Sequence, residues 1–324
     1  MPFELVYDLA AVVGMIRRAK YGTAQKLQSE LSAAYGAHTT VAFQWVIAVW
    51  SDYCDISWED VVDKRSFELI QLLNLYVMCF DRIADNPSGM IELVKDPYFA
   101  KHNPELKPSI YAISNWILCS KMSTTKKLAL LATIQHFRHE SLSAYQYGFR
   151  LQLEGNVSIE TIFLTIEGTT GLWLKTYTKI LNIIHDVPDP VACRIEALLY
   201  RFAAMGQLFD DAVDYANDLK DGALNLVDAA LRDHPSERHA AETLFQTPHR
   251  VWGWLPTVAP ETYVDIKRFF VEQLALLESI DPNSLTTRYL RQVSTSLFRL
   301  SIVHRILPDA LQRGLEAVKM LVRR

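Results

Sequence analysis

The sequence is poor in the residues that interrupt helices. It holds 12 glycines and 13 prolines among 324 residues, fewer than average usage supplies for this length. Strict alternation of apolar and polar residues, the pattern of a half-buried strand, is nearly absent, whereas apolar residues recur at three- and four-residue spacing. Hydrophobic residues make up 50% of the chain, which supplies a sizeable core. These features predict an all-α protein built from long helices.

Other absences exclude classes of function. The formal net charge is −4 and no basic stripe stands out, which argues against a nucleic-acid partner. The nine histidines form no HExxH or paired ExxH pattern, so neither a zinc hydrolase nor a di-iron bundle is expected. Four cysteines in apolar surroundings show no CxxC spacing, and we expect reduced, buried thiols at Cys54, Cys79, Cys119 and Cys193.

Long hydrophobic runs are missing as well. The most apolar early stretch, residues 41–50, contains Gln44 and is about half the length that a membrane span needs. The first residues lack the basic start and the continuous apolar run of a signal peptide. We therefore expect a cytoplasmic protein without a membrane span.

The helical period extends along nearly the whole chain. We find no low-complexity segment, no repeat of fixed period and no interdomain linker, so residues 1–324 are predicted to form a single large helical bundle. Turn-forming residues break the period at residues 86–89, 103–104, 155–156, 188–190 and 281–283. The predicted helices cover residues 4–19, 22–34, 39–53, 66–85, 108–121, 124–149, 158–181, 189–221, 237–246, 260–278, 284–306 and 308–323.

Acidic side chains stand at the end of a helix that is otherwise apolar. Residues 69–80 are apolar almost all round and lead into Asp81 and Asp85. Carboxylates four residues apart share one helix face and repel each other. Aspartate is also a poor helix former, and it is unfavourable at the C-terminal end, where the helix dipole is negative. Local physics therefore disfavours this pair unless a cation neutralises it.

A longer acidic stripe follows in the second half of the chain. It consists of three aspartates on one helix face, Asp210, Asp214 and Asp218. Upstream, the same face carries Ala203, Gly206 and Gln207, and the small residues leave room beside the helix, as a ligand cavity requires. Gly222 is predicted to end this helix.

Two acidic helices that face each other across a cavity mouth would suit a cluster of Mg²⁺ ions. Hard divalent cations take oxygen ligands, often only one or two carboxylates together with water and substrate phosphates. Such ions offset the charge that builds on a leaving diphosphate, so no covalent nucleophile is needed. The alternative is a solvated acidic face, because helix surfaces often carry aspartate.

At these residues the chain resembles the class I isoprenoid synthase superfamily. Asp81-x-x-x-Asp85 is similar to the first aspartate-rich motif, in the form typical of squalene and phytoene synthases. The resemblance covers roughly residues 60–225. It implies an all-α bundle in which two acidic motifs face each other across a deep, central apolar cavity. Arg82 takes the place of the doubled aspartate that is typical of chain-elongating enzymes.

The second acidic segment can be matched in three ways. Asp210-Asp211-x-x-Asp214 is similar to the DDxxD motif of prenyl diphosphate synthases. Gln207-Leu208 followed by Asp214-x-x-x-Asp218 is similar to the second motif of phytoene synthases. The three stripe aspartates also keep the spacing of the second motif of terpene cyclases. The resemblance implies that Mg²⁺, as a three-ion cluster, is held by Asp81, Asp85, Asp210, Asp211, Asp214 and Asp218.

A glycine-containing segment interrupts an apolar helix upstream of this motif. Family members commonly have a helix break there, and its backbone carbonyls can face the reacting carbon, which implies a substrate-binding role for Gly168 and Gly171. The alternative is a tight helix crossing that small residues permit. The arginine that bacterial cyclases usually place just before the break is absent, with Thr165, Ile166 and Glu167 in its place.

Further substrate-binding candidates each have a plainer alternative. Lys220 resembles a diphosphate ligand or an ordinary C-terminal lysine, and Arg288-Tyr289 resembles a diphosphate-contacting pair or an exposed helix start. A carbocation pocket needs aromatic faces, although an aromatic at helical spacing is often plain core. The aromatic candidates close to the motifs in sequence are Tyr76, Phe80, Phe163, Trp173 and Phe209.

The resemblance implies a terpene cyclase, which is a carbon–oxygen lyase acting on diphosphates. Such an enzyme ionises a prenyl diphosphate, here farnesyl diphosphate by analogy, and closes the cation to a terpene hydrocarbon or alcohol. The resemblance also allows the protein to be a homodimer. Head-to-head condensation, as in squalene or phytoene synthases, and chain elongation are the enzymatic alternatives. A non-catalytic helical protein that binds a lipid is the fourth.

Overall fold

All regular secondary structure in the described residues is helical. A computed structural model describes residues 37–57, 60–61, 65–84, 106–155, 157–245 and 253–303. These ranges contain no strand, which confirms the all-α class. The helices predicted over residues 4–19, 22–34 and 308–323 lie outside the described residues.

The helices are numbered in chain order. They are α1 (Ala37–Cys54), α2 (Ser66–Ala84), α3 (Leu106–Cys119), α4 (Thr124–Glu154), α5 (Ile159–Ile166), α6 (Leu172–His185), α7 (Asp189–Asp221), α8 (Leu226–Leu231), α9 (Pro235–Leu244), α10 (Leu255–Val258), α11 (Pro260–Ile280) and α12 (Leu285–Phe298). One π-helical turn, Glu167–Gly171, lies between α5 and α6, and another, Arg299–Val303, follows α12. No helix in the described ranges is both long enough and apolar enough to span a bilayer.

The chain divides into two compact units, each assembled from separate stretches of sequence. Among the described residues, the first unit takes residues 37–49, 154–164 and 201–303, and the second takes residues 50–153 and 165–200. Helix α7 therefore belongs to the second unit up to Tyr200 and to the first from Arg201 onwards. The single domain and the central apolar cavity that the sequence suggests stay predictions.

The second unit is organised around a buried tryptophan. Helix α2 packs against α3 and α6. Trp50 is fully buried, and its indole N–H donates to Asn182 Oδ1 at 2.8 Å. The Asn182 amide in turn donates to Glu196 Oε1 at 2.9 Å, and burial raises the pKa of the Glu196 carboxyl. These three side chains thus satisfy one another and join α1, α6 and α7.

The first unit holds a second aromatic core. The rings of Tyr215, Phe245 and Trp254 lie within 5.5 Å of one another, centroid to centroid. The Trp254 indole N–H donates to the Ala212 carbonyl at 2.9 Å, which fixes the start of α10 against α7. Helix α11 packs on α8, α10 and α12. The half of α7 that carries the acidic stripe is therefore supported on one side by a packed apolar layer.

The cysteines correct one expectation. All four are free thiols, as predicted. However, Cys119 and Cys193 are exposed, and Cys54 and Cys79 are half-buried, so the prediction of buried thiols is wrong. Apolar neighbours in sequence do not place a cysteine in the core when it falls on the outer face of its helix.

Candidate functional site

Helix α7 presents the acidic stripe, and its bounds agree with the prediction of residues 189–221. Asp210 is exposed, and Asp214 and Asp218 are half-buried. The helix ends where predicted, because Gly222 adopts the left-handed conformation with φ 68°. At this end the Ala223 N–H donates to the Asp218 carbonyl at 2.8 Å. The three aspartates therefore occupy successive turns of one face, up to the end of the helix.

Asp211 departs from the stripe because it points into the protein. It is only 3% exposed, and its Oδ2 accepts a hydrogen bond from the Leu226 backbone N–H at 2.8 Å. Its Oδ1 accepts from Gln207 Nε2 at 3.1 Å. Burial raises the pKa of Asp211 to about 8 despite these bonds, and the charges of Asp218 and Asp210 contribute to the rise. Asp211 thus anchors the first residue of α8 to α7.

Asn225 is a site residue that the sequence analysis missed. It caps α8, where its Oδ1 accepts from the N–H groups of Val227 at 2.8 Å and Asp228 at 3.0 Å. Its Nδ2 donates to Asp218 Oδ2 at 2.7 Å and to the Asp211 carbonyl at 2.8 Å. An asparagine directly before an apolar run, with an acid three residues later, is an N-cap pattern that could have identified it.

The described residues leave the helix uncrowded one turn before the stripe. No atom of the described residues outside its own helix backbone and chain neighbours lies within 4 Å of a β-carbon built on Gly206. Glycine in a helix interior costs about 1 kcal/mol relative to alanine. No described contact requires this glycine, and it keeps the face next to Asp210 uncrowded. The predicted room beside the helix is therefore found at Gly206, whereas Ala203 on the same face is buried.

The first acidic motif falls largely outside the described part of the chain. The backbone of Asp81 lies in the last turn of α2, but the structure does not describe its side chain. Asp85 lies outside the described residues. Among the described side chains, no group of three or more histidines, cysteines, aspartates or glutamates could hold a metal ion. An ion cluster on the stripe therefore needs ligands from beyond this set. The pairing of the two motifs stays a prediction.

The glycine segment forms a π-helical turn, Glu167–Gly171, and the backbone remains right-handed on both sides of it. A β-carbon on Gly168 would stand 2.8 Å from the β-carbon of Ala144, and one on Gly171 would stand 3.0 Å from Tyr200 Cε2. Both glycines therefore permit close packing, which is the alternative that the sequence left open. Single π-turns inside α-helices are frequent at functional sites, and the proposed contact with substrate stays a prediction.

Four of the five predicted aromatic residues are core residues, and they belong to two different units. Tyr76 and Phe80 lie in the second unit, with ring centroids 6.0 Å apart. Phe163 and Phe209 lie in the first unit, and each meets a phenylalanine of α11, at 5.0 and 6.0 Å. These four residues are at most 5% exposed, whereas Trp173 is half-buried. The structure thus brings together Tyr76 and Phe80, in the turns before Asp81.

The predicted diphosphate contacts occupy helix ends. Lys220 is exposed in the last turn of α7. Arg288 is exposed and Tyr289 half-buried in the first turns of α12, which begins after the capping residue Ser284. The Arg288 guanidinium donates to the Asn283 carbonyl at 3.4 Å. These positions agree with the plainer alternatives, and a role in binding diphosphate stays a prediction.

Comparison with known proteins gives few matches. No protein-family model matches the chain, and no curated protein matches it. Among solved structures, the geranylgeranyl pyrophosphate synthetase from Pyrococcus horikoshii Ot3 aligns over 99% of this chain and 98% of its own, with 13% sequence identity and a TM-score of 0.48. A likeness at this score carries no argument about activity, so the functional case rests on the residues of the site.

Proposed function

We propose that the chain is a class I terpene cyclase. It would ionise a linear prenyl diphosphate, farnesyl diphosphate by analogy, and close the cation to a terpene hydrocarbon or alcohol. The observation that carries the proposal is the stripe of Asp210, Asp214 and Asp218 along α7, beside the open space at Gly206. A glycine in a helix interior costs stability, and no described contact requires Gly206, so a role in leaving room for a ligand supports the proposal.

The donor type of the stripe suits a divalent cation, since carboxylate oxygens are the ligands that Mg²⁺ prefers. The described acids do not form a metal site by themselves, so further ligands would be needed. Burial is the main cause of the raised pKa of Asp211, and the negative charges of Asp218 and Asp210 add to it. A cation would offset the repulsion among carboxylates spaced four residues apart. Asp210, Asp214 and Asp218 would hold the metal together with Asp81 and Asp85. When bound, Mg²⁺ supplies Lewis-acid stabilisation of the leaving diphosphate.

Asp211 has a different place in the proposal from the other acids. Both of its oxygens accept hydrogen bonds inside the protein, from the Leu226 N–H and from Gln207. The Asp211 side chain is also only 3% exposed and points into the protein, away from the face that carries the other three acids. We therefore assign Asp211 to the support of the site and not to the ligand set.

Aromatic residues close to the acidic motifs in sequence would bind and shield the substrate. Phe209 directly precedes Asp210, Phe80 directly precedes Asp81, and Tyr76 lies one turn before Phe80. All three are buried, and aromatic faces attract a cation. Their apolar bulk would also exclude the water that quenches a carbocation. Lys220 or Arg288 would bind the oxygens of the diphosphate through its positive charge.

The test is product analysis by gas chromatography. Purified protein is incubated with C10, C15 or C20 prenyl diphosphates, with and without Mg²⁺. We expect a cyclised monomer, strongest with the C15 substrate and dependent on Mg²⁺. Asp214→Asn should abolish it, whereas the matched control Asp189→Asn, at an exposed acid in the first turn of the same helix, should not. No Mg²⁺-dependent product from any substrate would contradict the proposal and favour the lipid-binding alternative.

Head-to-head condensation is the second candidate, and Gln207 favours it. This residue precedes Asp214 and Asp218 as in phytoene synthases, and its side-chain amide donates to Asp211 at 3.1 Å and to Asp210 at 3.4 Å. Incubation with one labelled prenyl diphosphate separates the candidates, since condensation yields a doubled chain. A longer diphosphate formed only with isopentenyl diphosphate would instead indicate chain elongation.

A further inference from the structure

The loop after α7 returns the chain to the acidic stripe. The left-handed residue Gly222 reverses the direction of the backbone, and the Ala223 N–H closes the turn on the Asp218 carbonyl. Three residues after Gly222, Asn225 is almost completely buried against α7, at 3% exposure. Its side chain meets the carboxylate of Asp218, the last acid of the stripe, at 2.7 Å.

The orientation of the Asn225 side chain is fixed by its role as a helix cap. Two backbone N–H groups, of Val227 and Asp228, point at one terminal atom of the amide. Because a backbone N–H can only donate, that atom must be the oxygen. The NH₂ group is therefore obliged to face Asp218 and the Asp211 carbonyl. An amide held at both ends in this way cannot rotate without breaking the cap.

We infer that Asn225 is a positioning residue that holds the Asp218 carboxylate in place to receive a divalent cation; this inference rests on the proposed function. Asp218 stands in the last turn of α7, where the negative end of the helix dipole disfavours a carboxylate. The donated N–H offsets part of that penalty and restricts the rotation of the side chain. Groups that orient metal ligands from the second layer commonly change metal affinity by about 10- to 100-fold when they are removed.

The test measures metal binding directly, without turnover. Free Mn²⁺, an oxygen-preferring stand-in for Mg²⁺, is followed by electron paramagnetic resonance as protein is added in the presence of inorganic diphosphate. Asn225→Ser keeps a capping oxygen for α8 but has no amide to reach Asp218. We expect its Mn²⁺ dissociation constant to rise roughly tenfold or more. Its melting temperature should fall modestly, because the buried Asp211 carbonyl also loses its donor, and circular dichroism at the assay temperature should show that the variant is folded. Asn225→Thr, which also keeps a capping hydroxyl, provides a second variant should the first fail to fold.

A double-mutant cycle separates positioning from a structural effect. If Asn225 acts through Asp218, Asn225→Ser should change Mn²⁺ affinity by less than about twofold in an Asp218→Asn background. The matched control is Ser158→Ala, which removes a hydroxyl that accepts from the Thr161 N–H before α5 in the same unit, and it should leave Mn²⁺ binding unchanged.

The outcomes distinguish this inference from the proposed function. Unchanged Mn²⁺ affinity in Asn225→Ser, or an equal loss with and without the Asp218 carboxylate, would overturn the positioning role alone. Absence of diphosphate-dependent Mn²⁺ binding in the unsubstituted protein would overturn the proposed function, and the inference with it.

Discussion

Gly168 lies so close to Ala144 of α4 that a β-carbon added to the glycine would stand 2.8 Å from the β-carbon of the alanine. Neither atom belongs to a flexible side chain, so the helices must separate to admit a methyl group. We expect Gly168→Ala to lower the free energy of unfolding by about 1–3 kcal/mol, the usual cost of overpacking. Chemical denaturation followed by circular dichroism measures it.

A compensating substitution checks this explanation. Ala144→Gly removes the methyl group that Gly168→Ala would meet, so the double variant should be more stable than the sum of the two single changes indicates. If the losses in free energy of unfolding of the two single variants simply add in the double variant, the contact between residues 168 and 144 does not cause the destabilisation by Gly168→Ala.

Gly206 provides the contrasting case, because no atom of the described residues outside its own helix backbone and chain neighbours lies within 4 Å of its added β-carbon. Gly206→Ala should raise the free energy of unfolding by up to about 1 kcal/mol, since alanine favours the helix. If the open space receives substrate, the same change should lower kcat/KM. A more stable variant with unaltered kinetics would show that the space next to Asp210 is not used.

The carboxylate of Glu237 makes stability depend on pH. Its oxygens accept from the N–H groups of Glu261 and Thr262 and from the Thr262 hydroxyl, at 2.7–2.9 Å, at the start of α11. Burial acts to raise the pKa of Glu237, but these bonds outweigh it and the pKa is lowered. A lowered pKa means that the stabilisation is complete above the unfolded-state value, about 4.3, and is lost as the pH falls through the folded-state value.

Glu237→Gln tests this dependence. A hydrogen bond to a charged group contributes about 1.5–3 kcal/mol to stability. The free energy of unfolding of Glu237→Gln at pH 7 should therefore be lower than that of the unsubstituted protein by an amount of that order. Its free energy of unfolding should also decline less steeply than that of the unsubstituted protein as the pH falls below about 4.3. Parallel pH profiles from denaturant titrations would contradict the role of the ionised carboxylate.

The acids of α7 should differ in their effect on metal dependence. Asp214→Asn removes a proposed ligand and should abolish Mg²⁺-dependent activity at every Mg²⁺ concentration tested. Asp211→Asn should have a smaller effect, because the Asp211 oxygens accept from Leu226 and Gln207. An equal effect of the two changes would return Asp211 to the ligand set that the sequence resemblance implied.

Helical periodicity predicted the long helices well because their apolar faces are buried. The bounds of α7 match the prediction, and Gly222 ends it by the expected left-handed turn. Helices α8 and α10, with six and four residues, were missed because they are too short to show a period. Helix α6 extends to His185, beyond the predicted end at residue 181, because Asn182 is a buried hydrogen-bond partner of Trp50 and Asp186 supplies the left-handed end instead of a glycine.

The candidate site was predicted as a stripe but not in its details. Spacing alone placed Asp210, Asp214 and Asp218 on one face, because helix geometry dictates it. The same spacing could not show that Asp211 turns inward, since that depends on where α8 begins. It also could not show that Asn225 meets Asp218, because the contact depends on the fold of the loop.

The most direct test of the central claim is the release of inorganic diphosphate from farnesyl diphosphate, measured with and without Mg²⁺. The account predicts release that requires Mg²⁺ and is lost in Asp214→Asn, with folding of the variant confirmed by circular dichroism. Release at the same rate in Asp214→Asn, or no Mg²⁺-dependent release by the unsubstituted protein, would contradict it.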